Sequence, residues 1–226
     1  IPVTNASDCE LCGSCLEVCP TGAREIIGED ISVEQVMEEI EGDRIFYEES
    51  GGGVTFSGGE PFMQPEFLGA VLKESKARNL HTVVDTSGYV EISILQELSE
   101  FVDLFLYDVK IMDDQLHRKF TGVSNSLILK NLNWIASAGR RVIVRVPLIP
   151  GINDDAENIE HTADFISTLN GIERVDILPY FAESADKYNR LNRTMKLNDI
   201  LPPTDGDVEI IKSKFESCGL AVVIGG

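Results

Sequence analysis

Positive charge is scarce in this chain: 19 lysines and arginines stand against 38 aspartates and glutamates, a net charge of −19 over 226 residues. A nucleic-acid binder needs a basic footprint and an anionic membrane attracts basic segments, so neither partner is expected. No apolar run approaches the ~18 residues of a membrane-spanning helix, and no basic-then-apolar leader opens the sequence. The expected setting is the cytoplasm. Cysteine is almost missing from the body of the chain, where Cys218 is the lone example, yet four cysteines crowd residues 9 to 19. In a reducing compartment such a cluster is a metal site before it is a pair of disulfides. The remainder has an ordinary globular composition, 43% hydrophobic and 25% charged, with length for one large domain or one domain and a small appendage.

The clustered thiols read Cys9-x-x-Cys12-x-x-Cys15-x-x-x-Cys19-Pro20, the spacing with which bacterial ferredoxins wrap an iron–sulfur cubane. Structural zinc, the alternative, favours two separated cysteine pairs. Four thiolates on one [4Fe–4S] cluster leave no iron open, so such a cluster passes electrons and binds no substrate. In two-cluster ferredoxins the last cysteine serves the other cluster, and both assignments stay open for Cys19.

Beyond residue 30 the chain becomes periodic. Ser32 and Gln35 form a capping box ahead of Val33, Val36, Met37 and Ile40 at helical spacing. Strands are expected at 54–56, 81–85, 102–110, 141–149, 173–180 and in the final LAVVI run. The intervening helices open at Gln64-Pro65, before Ile94, at 114, at Asn153-Asp154-Asp155 and before Val208. The helical region 114–138 breaks near Gly122, and a polar, irregular stretch runs from 181 to Gly206. Strand–helix alternation of this kind makes βα units on a parallel sheet. The fold class is α/β, and six strands are fewer than the eight of a closed barrel, which leaves a partial barrel or an open fan. Cys218 falls on the apolar face of its helix as a core thiol. The three histidines, His81, His117 and His161, show no metal spacing.

The strand ends carry the polar groups, where α/β proteins place their chemistry. Val54-Thr55-Phe56 runs into Ser57-Gly58-Gly59-Glu60-Pro61, and paired glycines there let main-chain amides and carbonyls approach a ligand without Cβ atoms in the way. Asp85-Thr86-Ser87-Gly88 and Asp108-Val109-Lys110 end the next two strands, and Arg145 lies within the fourth. Lys110 beside an apolar strand is costly unless paired, and Asp108 is its expected partner on the same face. A tight turn that binds nothing, and ion pairs that only order loops, are the bland alternatives. Together these residues point to one shared pocket.

The runs VTFSGGEP, VVDTSGY, LFLYDVKIMDDQLHRKFTGVSN, VRVPLIPGIND and ILPY resemble the glycyl-radical enzyme activating enzymes of the radical S-adenosylmethionine superfamily, over nearly the whole chain. The cysteine segment resembles the ferredoxin-like insertion of many such activases. The resemblance implies a partial (β/α)₆ barrel over residues 31–226 that binds S-adenosylmethionine, with the insertion at 1–30. It implies that Gly58, Gly59 and Glu60 hold the amino group of the cofactor's methionine. Asp85 matches a cation- and cofactor-contacting aspartate, Asp108, Val109 and Lys110 an Asp-x-Lys motif, and Arg145 a strand arginine near the active site. The implied activity is one-electron cleavage of S-adenosylmethionine to place a radical on a glycine of a partner enzyme, with an electron donor such as flavodoxin or ferredoxin.

Two features depart from the pattern. Many relatives carry His directly after Leu-Pro-Tyr and Gly three residues later, where this chain has Phe181 and Ser184. The superfamily's Cys-x-x-x-Cys-x-x-Cys loop is also missing from these 226 residues: after Cys15-x-x-x-Cys19 the third position is Gly22. The resemblance places that loop upstream of the insertion, and since the sequence opens on Ile1, the first strand and its cluster loop are expected in a preceding segment. A ferredoxin-like electron carrier or a non-catalytic binding module is the alternative function. A barrel aldolase with Lys110 as Schiff base explains neither the cysteines nor the glycines.

Overall fold

The computed structural model describes residues 9–10, 12–21, 28, 30–181 and 200–225. Most of the irregular stretch expected before Gly206, Ser184 included, lies outside the described residues. A short helix α1 (Ser14–Glu17) sits among the cysteines, and α2 (Val33–Gly42) follows, opened by the expected capping box. Ser32 Oγ accepts from the Gln35 N–H at 3.3 Å and Gln35 Oε1 accepts from the Ser32 N–H at 2.9 Å. Met37 and Ile40 are buried with Leu80 in a small satellite core. Helix α3 (Arg44–Ser50) is not expected from the sequence, because it buries no residue and so carries no apolar stripe.

The βα units then run β1 (Val54–Phe56), α4 (Pro65–Ala77), β2 (Thr82–Thr86), α5 (Ile92–Leu98), β3 (Leu104–Asp108), α6 (Asp114–Thr121), α7 (Ser126–Ser137), β4 (Val142–Leu148), α8 (Ala156–Ser167), β5 (Ile172–Pro179), α9 (Asp205–Ser217) and β6 (Val222–Ile224). All six strands pair in parallel, in sequence order from β1 to β6. This is the partial-barrel architecture. Asp113, Asp155 and Thr204 cap α6, α8 and α9 by accepting main-chain N–H bonds. The third strand is shorter than the expected 102–110, because Val109 and Lys110 already belong to the loop. Helix α8 starts at Ala156, not at Asn153, whose side chain bridges two loops instead.

Strand residues alternate between two faces. Val84, Phe105, Tyr107, Val144, Val146 and Val175 enter the main core against the helices. On the opposite, inner face, Asp85 aligns with Leu106, Ile143 and Arg174. Two residues further along each strand, Asp108, Arg145, Asp176 and Val223 form the next row across β3 to β6.

Candidate functional site

At the C-terminal ends of β1 to β4 a chain of polar side chains crosses the inner face. Ser57 Oγ donates to Asp85 Oδ2 at 2.7 Å, and Asp85 Oδ1 is paired with Arg145 Nη2. Arg145 also reaches Asp108 Oδ1, with Nε at 3.1 Å and Nη2 at 3.0 Å. Lys110 Nζ closes the chain on Asp108 Oδ2 at 2.8 Å, the pairing expected from the sequence. Asp85, Asp108 and Arg145 are about one-fifth exposed (18%, 19% and 20%) and Lys110 more so at 35%. Signs alternate along the chain, so two acids and two bases balance in a setting where unpaired charge would be expensive. Lys110, at the accessible end with one acidic neighbour, keeps ammonium protons for an anionic ligand. Val109 contributes main chain only: its side chain is in the core and its N–H donates to the Arg145 carbonyl at 2.9 Å.

Glu60 ties the loop after β1 to the loop after β2. Its Oε1 accepts from Thr86 Oγ1 at 2.6 Å and from the Phe62 N–H at 3.4 Å, and its Oε2 accepts from the Ser87 N–H at 2.9 Å and Ser87 Oγ at 2.6 Å. Gly58 adopts φ +116°, a conformation that favours glycine, and a Cβ on either Gly58 or Gly59 would meet nothing within 4 Å. Both glycines are exposed, and the space beside them is open among the described residues.

Four buried asparagines, which the sequence patterns did not mark as site elements, hold the remaining loops. Asn131 Nδ2 donates to the Gly88 and Val90 carbonyls at 2.8 and 2.7 Å. Asn125 Nδ2 donates to Ile111 and Met112 at 3.0 and 2.6 Å. Asn158 takes the Met112 N–H at 2.8 Å and gives Nδ2 to the Asn153 carbonyl at 2.8 Å. Asn153 in turn bridges Lys110 and Pro147, donating to their carbonyls at 2.8 and 2.6 Å and accepting from the Ile149 N–H at 2.7 Å. One signal is local: Asn131 lies between Ile128 and Ile135 on an otherwise apolar helix face. Asp176 also goes unmarked in the sequence. It is 1% exposed, aligned with Arg145, and takes Arg174 at 2.7 and 3.2 Å.

The thiols of Cys9, Cys12 and Cys15 are exposed and Cys19 is half-buried around α1. Among the described residues no three His, Cys, Asp or Glu side chains are gathered as a ready-made metal site. The four fit an iron–sulfur cluster by ligand type and spacing, with binding of the cluster itself able to draw them together. Cys218 packs against the main core, as its helix face indicated. His117 is buried, with Nδ1 2.8 Å from the Val123 carbonyl, a packing role. No helix among the described residues is long and apolar enough to cross a membrane.

Residues 17–166 match the family model of the Radical SAM superfamily, and residues 2–25 match that of the 4Fe-4S binding domain. Trans-4-hydroxy-L-proline dehydratase activating enzyme of Clostridioides difficile is 42% identical, with 98% of this chain and 84% of that protein covered. Pyruvate formate-lyase 2-activating enzyme of Escherichia coli (strain K12) is 36% identical over 99% of this chain and 77% of its own. Among solved structures, a domain of pyruvate-formate lyase-activating enzyme from Bacteroides vulgatus superposes with a TM-score of 0.67 at 33% identity, covering 78% of this chain and all of that one. With a superfamily model over most of the barrel and relatives of this kind end to end, the chain belongs to the radical S-adenosylmethionine superfamily, among the glycyl-radical enzyme activating enzymes.

Proposed function

We propose that the strand ends of β1 to β4 are the S-adenosylmethionine site of this activating enzyme, with Gly58, Gly59, Asp85, Asp108, Lys110 and Arg145 as its lining. The observation that supports this is the Asp85–Arg145–Asp108–Lys110 chain beside two exposed glycines. A methionine head group is a zwitterion. It calls for carbonyl or carboxylate acceptors around its ammonium and a cation near its carboxylate, and both lie within these four strand ends. When bound and given one electron, S-adenosylmethionine supplies reductive cleavage of a carbon–sulfur bond and hence a hydrogen-abstracting carbon radical. The protein's part is to orient the head group, exclude water from the inner face and keep the strand-end loops fixed.

Residues 1–30 are proposed to form the ferredoxin-like unit, with Cys9, Cys12, Cys15 and Cys19 as ligands of a [4Fe–4S] cluster that relays electrons. Residues 31–226 form the barrel. Flavodoxin or ferredoxin is the proposed electron source, the cytoplasm the proposed compartment, and nucleic acid no partner of a chain with net charge −19. After anaerobic reconstitution the protein should hold iron and sulfide, and replacing Cys9, Cys12 and Cys15 with Ala should abolish the brown absorbance. Zinc bound in their place would refute the cluster assignment. Calorimetric titration with S-adenosylmethionine tests the other half: Lys110→Ala should weaken binding about tenfold or more, and a Lys110→Ala protein that only melts earlier would mark Lys110 as structural.

A further inference from the structure

We infer that Glu60 serves the cofactor as a positioning residue: its carboxylate is consumed by the loop after β2, and the main chain of Gly58 and Gly59 is left to meet the ligand. The inference rests on the proposed S-adenosylmethionine site and changes what one of its residues does there.

An ionised carboxylate has about four acceptor positions. Four protein donors already converge on Glu60, from Thr86 Oγ1, Phe62 N, Ser87 N and Ser87 Oγ. An incoming ammonium would have to displace one of them. The hydroxyls are not idle partners either. The Gly88 N–H donates to Thr86 Oγ1 at 2.8 Å, and the Tyr89 N–H donates to Ser87 Oγ at 3.4 Å. Each hydroxyl accepts from a loop amide and donates its own hydrogen bond to Glu60, so two parallel strings run from Gly88 and Tyr89 into one carboxylate. Strings of this kind polarise one another and strengthen as a set.

The loop they hold is fixed from other sides as well. Asn131 donates to the Gly88 and Val90 carbonyls, and its own buried Oδ1 has no partner among the described residues. Gly88, at φ +72°, lies so close to Tyr107 that a Cβ would fall 1.6 Å from the phenol oxygen. The loop follows directly on Asp85 and Thr86 at the end of β2 and is tied by Glu60 to Gly58-Gly59, so it sets the distance between the two glycines and the charged chain. Glu60 acts on the ligand through that distance.

The test is a double-mutant cycle in the cluster-loaded protein. Wild type, Glu60→Gln, Thr86→Val with Ser87→Ala, and the combined variant are titrated calorimetrically with S-adenosylmethionine, and amide exchange of residues 57–60 and 86–90 is followed without it. A positioning role predicts about ten- to hundredfold weaker binding for Glu60→Gln, a similar loss for Thr86→Val with Ser87→Ala, and little further loss on combining them. Exchange should quicken at both loops in all variants, and Thr86→Ser, which keeps the hydroxyl, should restore affinity and protection. If Glu60→Gln costs the same in both backgrounds while protection of 86–90 is unchanged, Glu60 meets the ligand directly and the inference is overturned. Unaltered affinity in every variant overturns it too. A wild type that binds no S-adenosylmethionine removes the proposed site and this role with it, and the exchange data then show separately whether the latch exists.

Discussion

Arg145 and Asp108 stand at aligned positions of adjacent strands, and two guanidinium nitrogens of Arg145 share a single Asp108 oxygen, at 3.1 and 3.0 Å. The second Asp108 oxygen goes to Lys110, and the same Nη2 that reaches Asp108 also pairs with Asp85. A planar fork can serve two carboxylates at once, which a point-charge ammonium cannot do in the same geometry. The consequence is a four-residue chain, Asp85, Arg145, Asp108 and Lys110, that is charged group by group and neutral in sum.

Removing the fork should therefore be costly. Arg145→Ala takes the guanidinium from two carboxylates that are about four-fifths hidden, leaving Ser57 on Asp85 and Lys110 on Asp108, and is expected to cost about 1–3 kcal/mol, below the range for fully buried pairs. Arg145→Lys should recover only part, since one ammonium reaches one carboxylate well. Urea denaturation of the three proteins decides: equal stability of Arg145→Lys and wild type would show that bridging is unimportant.

Gly88 is where space, not charge, dictates the residue. A Cβ there would lie 1.6 Å from Tyr107 Oη and 2.0 Å from the ring Cζ. Gly88→Ala should cost more than about 3 kcal/mol or prevent folding. Tyr107→Phe will not rescue it, because the ring carbon stays. That change also removes the hydrogen bond that Tyr107 Oη donates to the Ile128 carbonyl at 2.6 Å. Burial first, and then the Glu60 charge nearby, push the Tyr107 phenol well above its ordinary pKa, which favours the protonated, donating hydroxyl. A melting temperature for Gly88→Ala equal to wild type would contradict the geometry.

The frame and much of the site are legible in the amino-acid sequence. Apolar strands separated by capped helices carry their own periodicity, and Asp108–Lys110 is a pair two residues apart whose cost alone demands pairing. The Asp85–Arg145 contact spans 60 residues, and no local pattern encodes it. The resemblance alone assigns Glu60 to the ligand's amino group; its hydrogen bonds from Thr86 and Ser87, 26 and 27 residues away, have no local signal in the sequence. Helix α3 escapes because Ile45 and Phe46, its large apolar residues, are 60% and 63% exposed, so hydrophobicity points to no inward face.

The connection between α6 and α7 should be acid-sensitive. Asp114 accepts from Ser124 Oγ at 2.5 Å, from Arg118 Nε at 2.8 Å and from the Asn125 N–H at 3.1 Å. The Ser124 bond first, then Arg118, hold its carboxyl down to about 2. A carboxyl lowered in the folded state stabilises the fold above its unfolded pKa, and that contribution fades as pH falls toward the folded value. The stability gap between wild type and Asp114→Asn should be full at pH 5 and shrink between about pH 4 and pH 2. A gap independent of pH over that window would mean that the three bonds do not favour the ionised form.

Gly59 allows the ligand's demand on a residue to be separated from the fold's demand. Its neighbour Gly58, at φ +116°, would be strained by any side chain, so a substitution there confuses the two. Gly59 has no such φ, is exposed, and a Cβ on it would meet no protein atom within 4 Å. Gly59→Ala should then leave folding intact or raise stability by up to about 1 kcal/mol, through lost freedom of the unfolded chain. The same methyl would occupy the space into which the proposed ligand brings its head group, forcing it away from the main chain. Loss of even one charge-assisted hydrogen bond is worth about 1.5–3 kcal/mol, or roughly ten- to a hundredfold in affinity. The measurement is a melting temperature and an S-adenosylmethionine titration on the same Gly59→Ala preparation. Retained stability with weakened binding places the ligand against this glycine. Retained stability with wild-type affinity takes it away, and a loss of stability would show that the backbone itself, not a ligand, requires glycine at this position.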